Sequence, residues 1–291
     1  MNIPKIVFIV PYRNRLNEKT HFSVYMKYIM EDWDVNDYEI YYSHQTDDRP
    51  FNRGATKNIG FLTLKEKYPN DYKNITFVFN DVDTLPFKKN TFDYITTQGT
   101  IKHFYGFTFA LGGIFSIIGA DFEKCNGFPN NWGWGLEDNE MQNRVKANNF
   151  TLDRTQFYGI GSREIINIYD TPMRLINNKE PGNYIQHQLV DNLDQICELE
   201  YDIEPISTNK IDTYISNDME TETENSHDST ITNRVHVCEY MINIYKFKTL
   251  INPANEVFYS QNTFYNTKLK KNAYEQTETR KRWGMQNFFK R

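Results

Sequence analysis

Unbroken apolar runs alternate with stretches of helical spacing along the first part of the chain. Ile6 to Val10 is a β-branched and aromatic run that stops at Pro11, the pattern of a parallel strand buried on both faces. Its carboxyl end opens into a loop that carries Tyr12-Arg13-Asn14-Arg15. Apolar positions then recur at helical spacing from His21 to Met30, Tyr38 to Tyr42 reads as a second strand, and Gly54 to Lys67 as a second helix. Ile75 to Phe79 is a third buried run, ending at Asn80-Asp81-Val82-Asp83. This alternation predicts an α/β fold built on an open sheet, with ligands at the carboxyl ends of its strands.

Between Phe104 and Phe128 the chain is apolar and punctuated by glycines, and it leads into Asn130-Asn131-Trp132-Gly133-Trp134-Gly135-Leu136-Glu137-Asp138. Glu137 to Lys146 predicts a helix with acids in its first turn, where the macrodipole favours them. Residues Tyr201 to Asp228 carry eight acidic side chains against the single strong base Lys210, a composition that predicts a flexible acidic insertion. Val235 to Tyr245 regains strand character, and Lys268 to Arg291 is basic with Trp283, Phe288 and Phe289 interleaved. The expected organisation is a core over 1–200, the acidic insertion over 201–232, a return to the core over 233–265 and a basic tail over 266–291. That tail reads either as a docking element for a partner or a membrane surface, or as a solvated charged helix.

Composition narrows the class of function. Aromatic residues make up 15% of the 291, which suits surfaces that stack on sugars or bases, but a net charge of −5 gives no global reason to bind nucleic acid. Cys125, Cys197 and Cys238 are an odd number at unrelated spacings, so they are expected to be reduced and bound to no zinc. The amino terminus shows no secretory pattern, and the chain has no run of about 18 apolar residues, so a soluble, cytoplasmic protein is expected.

Two segments carry candidate chemistry. If Asp81-Val82-Asp83 continues the strand before it, alternation puts both carboxylates on one side, facing one hard cation such as Mg2+ or Mn2+. The alternative is a turn in which an aspartate caps the next segment. Trp132-Gly133-Trp134-Gly135 offers two indoles for sugar stacking, with Glu137 or Asp138 placed to accept a hydroxyl proton. Here the alternative is a pair of core tryptophans followed by a helix-capping acid.

Pro11-Tyr12-Arg13-Asn14-Arg15, the run from Phe51 through Asn52-Arg53-Gly54 to Phe61, Asn80-Asp81-Val82-Asp83-Thr84-Leu85-Pro86 and the run from Asn126 to Asp138 resemble, in order, the signature blocks of the β-1,4-galactosyltransferase family. The resemblance implies a GT-A type nucleotide-sugar fold, an open mixed sheet flanked by helices, with residues 1–200 as its nucleotide-sugar-binding and catalytic core. It further implies inverting transfer of a hexose, galactose or an N-acetylhexosamine, from a UDP-sugar to a glycan, glycoprotein or glycolipid hydroxyl, with Mn2+ or, in its place, Mg2+. On this resemblance Pro11, Arg13, Arg15, Phe51 and Arg53 hold the uridine diphosphate, Asp83 binds the metal, and Asp81, Val82 and Gly113 of the Gly112-Gly113 pair touch the donor. Trp134 is the indole that covers the site and meets both substrates, Gly135 and Glu137 bind the acceptor, and Asp138 is the base and an acceptor contact.

The chain also departs from that pattern. Leu136 stands where the family has glycine, and Asn139 where it has a further aspartate. Met173 is the nearest match to the family's metal-binding methionine, but the histidine expected three residues on falls on Ile176. His187 and His236 are substitute ligands or, alternatively, structural and surface residues. The donor-sugar position falls near Ala110, which leaves galactose, N-acetylgalactosamine and glucose open. A glycan-binding module of the same fold without turnover is the rival reading, and a metal-dependent phosphohydrolase lacks the His and Asp clusters it needs. A soluble member is the kind expected in a viral or bacterial glycosylation system.

Overall fold

The computed structural model describes residues 2–168, 173–177, 191–206 and 238–262. His187, His236, the basic tail and the acidic segment beyond residue 206 lie outside the described residues. In chain order the elements are β1 (Ile6–Tyr12), α1 (Leu16–Ile29), β2 (Tyr38–Gln45), α2 (Arg53–Lys67), β3 (Thr76–Asn80), β4 (Thr84–Pro86), β5 (Thr100–Gly106), β6 (Ile114–Ile118), α3 (Gly119–Lys124) and α4 (Glu137–Ala147). There follow β7 (Thr151–Asp153), β8 (Tyr158–Gly159), β9 (Ile165–Asn167), β10 (Met173–Asn177), β11 (Cys197–Pro205), β12 (Glu239–Lys248) and β13 (Phe258–Asn262).

The main sheet runs β11-β12-β2-β1-β3-β6-β5-β7, with β8 also on β5. It is mixed: β12, β2, β1 and β3 are mutually parallel, and β6 enters antiparallel to both β3 and β5. Every residue of β1 is buried, and alternation sends its side chains to two cores. Val7 and Ile9 join Ala55, Ile59 and Leu64 of α2, while Ile6, Phe8 and Val10 join Phe22, Met26 and Ile29 of α1. The continuous apolar run in the sequence is the record of this two-sided burial.

The three helices expected over the first half are all present, with α1 and α2 beginning five residues and one residue earlier than the apolar spacing implied. The acidic insertion does not start at Tyr201. Residues Tyr201–Pro205 pair in the sheet with β12, and the acids of β11 answer cross-strand lysines: Glu200 holds Lys246 at 2.7 Å and Glu198 holds Lys248 at 2.5 Å. Of the acids counted into the expected insertion, Asp202 thus lies in the sheet, accepting from Asn243 at 3.0 Å and from Tyr245 at 2.7 Å. Cys125, Cys197 and Cys238 are free cysteines, Cys125 buried and Cys197 exposed. No described helix is long and apolar enough to cross a membrane.

Trp132 is a core residue. Its ring stacks on Phe247 at 5.3 Å, its indole N–H donates to the Ile251 carbonyl at 2.9 Å, and the Arg49 guanidinium lies 4.6 Å from its ring. The end of β12 and the loop before α2 are thereby packed against the tryptophan segment.

The start of α2 is pressed equally hard. A Cβ added at Gly54 would lie 2.0 Å from the Pro129 carbonyl oxygen, whereas one added at Gly159 would meet nothing within 4 Å. Glycine to alanine inside a helix ordinarily stabilises by about 0.5–1 kcal/mol. Gly54→Ala is therefore expected to do the reverse, lowering stability by about 1–3 kcal/mol through overpacking, while Gly159→Ala stays near neutral. Urea unfolding of the two variants reads the difference, and a stabilised Gly54→Ala would contradict the packing.

Candidate functional site

The carboxyl ends of β1 and β3, the loop from β2 to α2, the end of β5 and the start of α4 converge on one cleft of ≈ 470 Å³. Its walls include Pro11, Arg13, Arg15, Phe51, Arg53, Asp81, Val82, Asp83, Gly113, Trp134 and Asp138, residues the sequence singled out from five separate segments. Strand alternation does not bring them together. The topology does, because parallel strands deliver their carboxyl ends, and antiparallel β6 its amino end, to the same edge.

Arg53, the first residue of α2, is the hub. Its guanidinium donates to Asp81 Oδ1 at 2.5 Å, to Asp138 Oδ2 at 2.9 Å and to Glu137 Oε1. Burial works against its charge, but Asp138, Asp81 and Glu137 outweigh burial and hold its pKa well above the usual arginine value. One turn on, Lys57 shares the same helix face and donates from Nζ to Asp138 Oδ1 at 2.8 Å, with its side chain 1% exposed. Asp138 lies in the first turn of α4, where the helix dipole also favours an anion. Burial would raise its pKa, yet Arg53 and Lys57 pull it down to about 2. Asp138 is a fixed, ionised carboxylate at neutral pH.

Glycines let backbone and carboxylate meet. A Cβ at Gly112 would fall 2.2 Å from Asp138 Oδ2, and Gly113, at φ +74°, has no room for one beside the Tyr105 carbonyl. The Gly113 carbonyl accepts from the Asp81 amide at 3.0 Å, and the Asp138 carbonyl from the Leu111 amide at 2.8 Å. The glycine pair thus ties the aspartate triplet to α4. Behind it, His103 Nε2 lies 3.0 Å from the Tyr105 carbonyl and 3.1 Å from that of Gly112, and its Nδ1 accepts from Arg154 at 3.2 Å. Burial, with Arg154 beside it, pushes the imidazole pKa down to about 4, so it is a neutral Nε2–H donor at physiological pH.

The triplet is a turn and not an extended continuation of β3. The Thr84 amide returns to the Asp81 carbonyl at 3.2 Å, so the alternation expected across Asp81 and Asp83 does not apply. Both aspartates still line the cleft, in different roles: Asp81 is bound by Arg53, while Asp83 forms no ion pair among the described residues. Burial and the neighbouring Asp81 raise the Asp83 carboxyl to about 6, against the pull of Arg53, Arg15 and Arg174. An acid held up in this way gains from a cation beside it, so the residues present fit a divalent metal anchored on Asp83. Among the described residues no group of three His, Cys, Asp or Glu could hold a metal, and Ile176 is buried and apolar. The Met173 side chain lies outside the described residues.

The two tryptophans divide between the two readings of their segment. Trp134 is 45% exposed on the cleft wall, whereas Trp132 belongs to the core. Gly135 and Glu137 are buried and do not line the cleft. Glu137, expected to face an acceptor, instead holds Arg53 from behind, because the first turn of α4 directs it inward. Leu136 starts that helix at φ +69°, a conformation that costs a leucine about 1–2 kcal/mol and glycine almost nothing. Sequence reading missed Lys57, His103 and Arg174 as site residues. Lys57 was detectable, four residues after Arg53 on a predicted helix. Arg174 lies outside the signature blocks and reaches the cleft only through β10, which no local pattern marks.

The family profile for the N-terminal region of glycosyl transferase group 7 matches residues 2–95, and that for the N-terminal domain of galactosyltransferase matches residues 100–169. Bovine (Bos taurus) β-1,4-galactosyltransferase 1 is 33% identical over 159 residues, 52% of this chain and 38% of the relative. The xylosylprotein 4-β-galactosyltransferase of Caenorhabditis elegans is 34% identical over 159 residues, 52% of this chain and 53% of the relative. The chain therefore matches about half or less of the length of these relatives. The catalytic domain of Drosophila β1,4-galactosyltransferase 7, solved with xylobiose, superposes with a TM-score of 0.56 at 20% identity, covering 84% of this chain and 94% of that one. A mutant of that enzyme, solved with manganese, UDP-Gal and xylobiose, gives a TM-score of 0.53. The mixed sheet flanked by helices is thus the expected GT-A type fold.

The charge balance around Asp138 makes acid stability a probe of the hub. Its folded pKa of about 2 lies below the ordinary carboxylate value, so its contribution is complete above roughly pH 4 and is lost as pH falls toward the folded value. Lys57→Met removes one of the two cations that depress it. The acid-unfolding midpoint, followed by near-UV circular dichroism, is expected to move to higher pH, and an unmoved midpoint would exclude Lys57 as a partner of consequence.

Proposed function

The chain belongs to the β-1,4-galactosyltransferase family, and from that premise we propose that it is an inverting glycosyltransferase, moving a hexose from a UDP-sugar to an acceptor hydroxyl with a divalent metal, Mn2+ in preference to Mg2+. The observation that carries this is that one cleft brings together Arg13 and Arg15, an Asp83 with no ion pair among the described residues, and an ionised Asp138 fixed by Arg53 and Lys57.

In this reading Arg13 and Arg15 take the donor's diphosphate, and Phe51 and Pro11 flank its nucleoside. Glu18, fully buried in the first turn of α1, fixes Arg15 at 2.6 Å. Asp83 would hold the metal, which when bound screens the diphosphate as a leaving group. Asp138 accepts the proton of the acceptor hydroxyl as that oxygen bonds to the sugar carbon from the face opposite the departing diphosphate, which inverts the configuration. A carboxylate with a pKa of about 2 is a weak base towards a neutral alcohol. It suffices here because the oxygen becomes strongly acidic as its new bond forms, so proton transfer is late. Trp134 supplies an apolar ring for an acceptor sugar, and Ala110, small and on the cleft wall, leaves both galactose and an N-acetylhexosamine open as the transferred sugar.

UDP release from a panel of UDP-sugars with Mn2+, in the presence of glycan acceptors, tests the reading directly. Binding of glycan with no turnover of any donor would replace it by a binding module of the same fold. Within an active enzyme, Asp138→Asn is expected to keep donor binding and to lose about 10²–10⁴-fold in transfer. Asp83→Ala is expected to lose the metal dependence of donor binding. Equal losses of both properties in both variants would refute this division of roles.

A further inference from the structure

Four arginines line the cleft, and they are not equally committed. Arg53 is shared among three carboxylates, Arg15 is paired with Glu18, and Arg13 donates to the Arg49 carbonyl. The side chain of Arg174, on β10, makes no hydrogen bond or ion pair among the described residues. Its backbone is fixed: β10 pairs with β13, and the carbonyl of the next residue, Leu175, accepts from the Trp134 amide at 2.7 Å. The guanidinium is half-buried, so it has lost part of its hydration without gaining a counter-ion. Burial, Arg15 and Arg53 oppose its charge, and Asp83 and Asp81 restore only part of it.

The anionic side of the same corner is short of ligands for a cation. Asp81 is occupied by Arg53, Asp83 is the free carboxylate of the triplet among the described residues, and Ile176 is buried and apolar. Where a metal's protein shell is reduced, a fixed guanidinium can neutralise phosphate directly and with two parallel hydrogen bonds.

Resting on the nucleotide-sugar reading above, we propose that Arg174 is a diphosphate-binding residue of the donor site, supplying charge that lets UDP bind this chain without a divalent metal. Arg174 and Asp83 then approach the same phosphates from one corner, the arginine by direct contact and the aspartate through the cation.

Calorimetric titration of UDP, and separately of inorganic pyrophosphate, into the full chain decides this, each in excess EDTA and again with saturating Mn2+. The wild type is expected to bind both probes in EDTA. Arg174→Met is expected to weaken binding in EDTA by about tenfold or more, the worth of a charge-assisted hydrogen bond, and by a smaller factor with Mn2+. Arg174→Lys should recover part of the loss, and an unchanged thermal midpoint of the methionine variant shows that folding is intact. Equal affinity of wild type and Arg174→Met in EDTA overturns the proposal, as does wild-type binding that requires Mn2+. Failure of UDP to bind in either condition would instead sink the nucleotide-sugar reading itself.

Discussion

A guanidinium withdrawn from water at the first turn of a helix must be matched by anions, and Arg53 is matched by three. Asp81 comes from the end of β3, and Glu137 and Asp138 from the start of α4. The segments that meet on this one group are separated by up to 85 residues in sequence. Removing a single partner from such a buried cluster typically costs about 3–5 kcal/mol, because the remaining charge is left without compensation. The arrangement also specifies geometry. With Lys57 it leaves Asp138 no freedom to turn away from Gly112, so the carboxylate is held against the backbone that forms the neighbouring wall.

Topology does the remaining placement. A wholly parallel sheet would deliver strand ends of one kind to the cleft. The reversal at β6 brings the amino end of that strand, and with it the glycine pair, to the edge where β1 and β3 finish. The Asp81 amide can then bond Gly113, and the triplet and α4 come to share a frame. Glycine is required at that crossing because side chains would occupy the space of Asp138 and the Tyr105 carbonyl.

The parts legible in the sequence were those set by local pattern. The strand at Ile6 and the helices after it could be read because two-sided burial and helical spacing leave direct marks on the chain, whereas the cleft residues of the signature blocks came from their resemblance to a known family. What escaped reading depended on partners distant in sequence. Glu137 looked available to a ligand until Arg53 was found behind it, and Trp132 looked like a platform until Phe247 was found stacked on it. Asp202 looked like part of a flexible acidic stretch because its partners, Asn243 and Tyr245, lie on another strand, more than forty residues away. The triplet turned where alternation had been assumed, yet both aspartates still reached the cleft, so a mistaken local geometry led to a correct location.

The different depths of the arginines have a consequence for ionic strength. At physiological salt the Debye length is about 8 Å, which weakens attraction across open water and hardly touches charges in direct contact within the protein. The Arg53 cluster belongs to the second kind, so added salt leaves the architecture of the cleft in place. On the proposed donor site, Arg13 and Arg174 meet the diphosphate from solution and belong to the first. Salt therefore governs how strongly this surface draws a phosphate in, and leaves untouched the position of the carboxylate that waits beyond it.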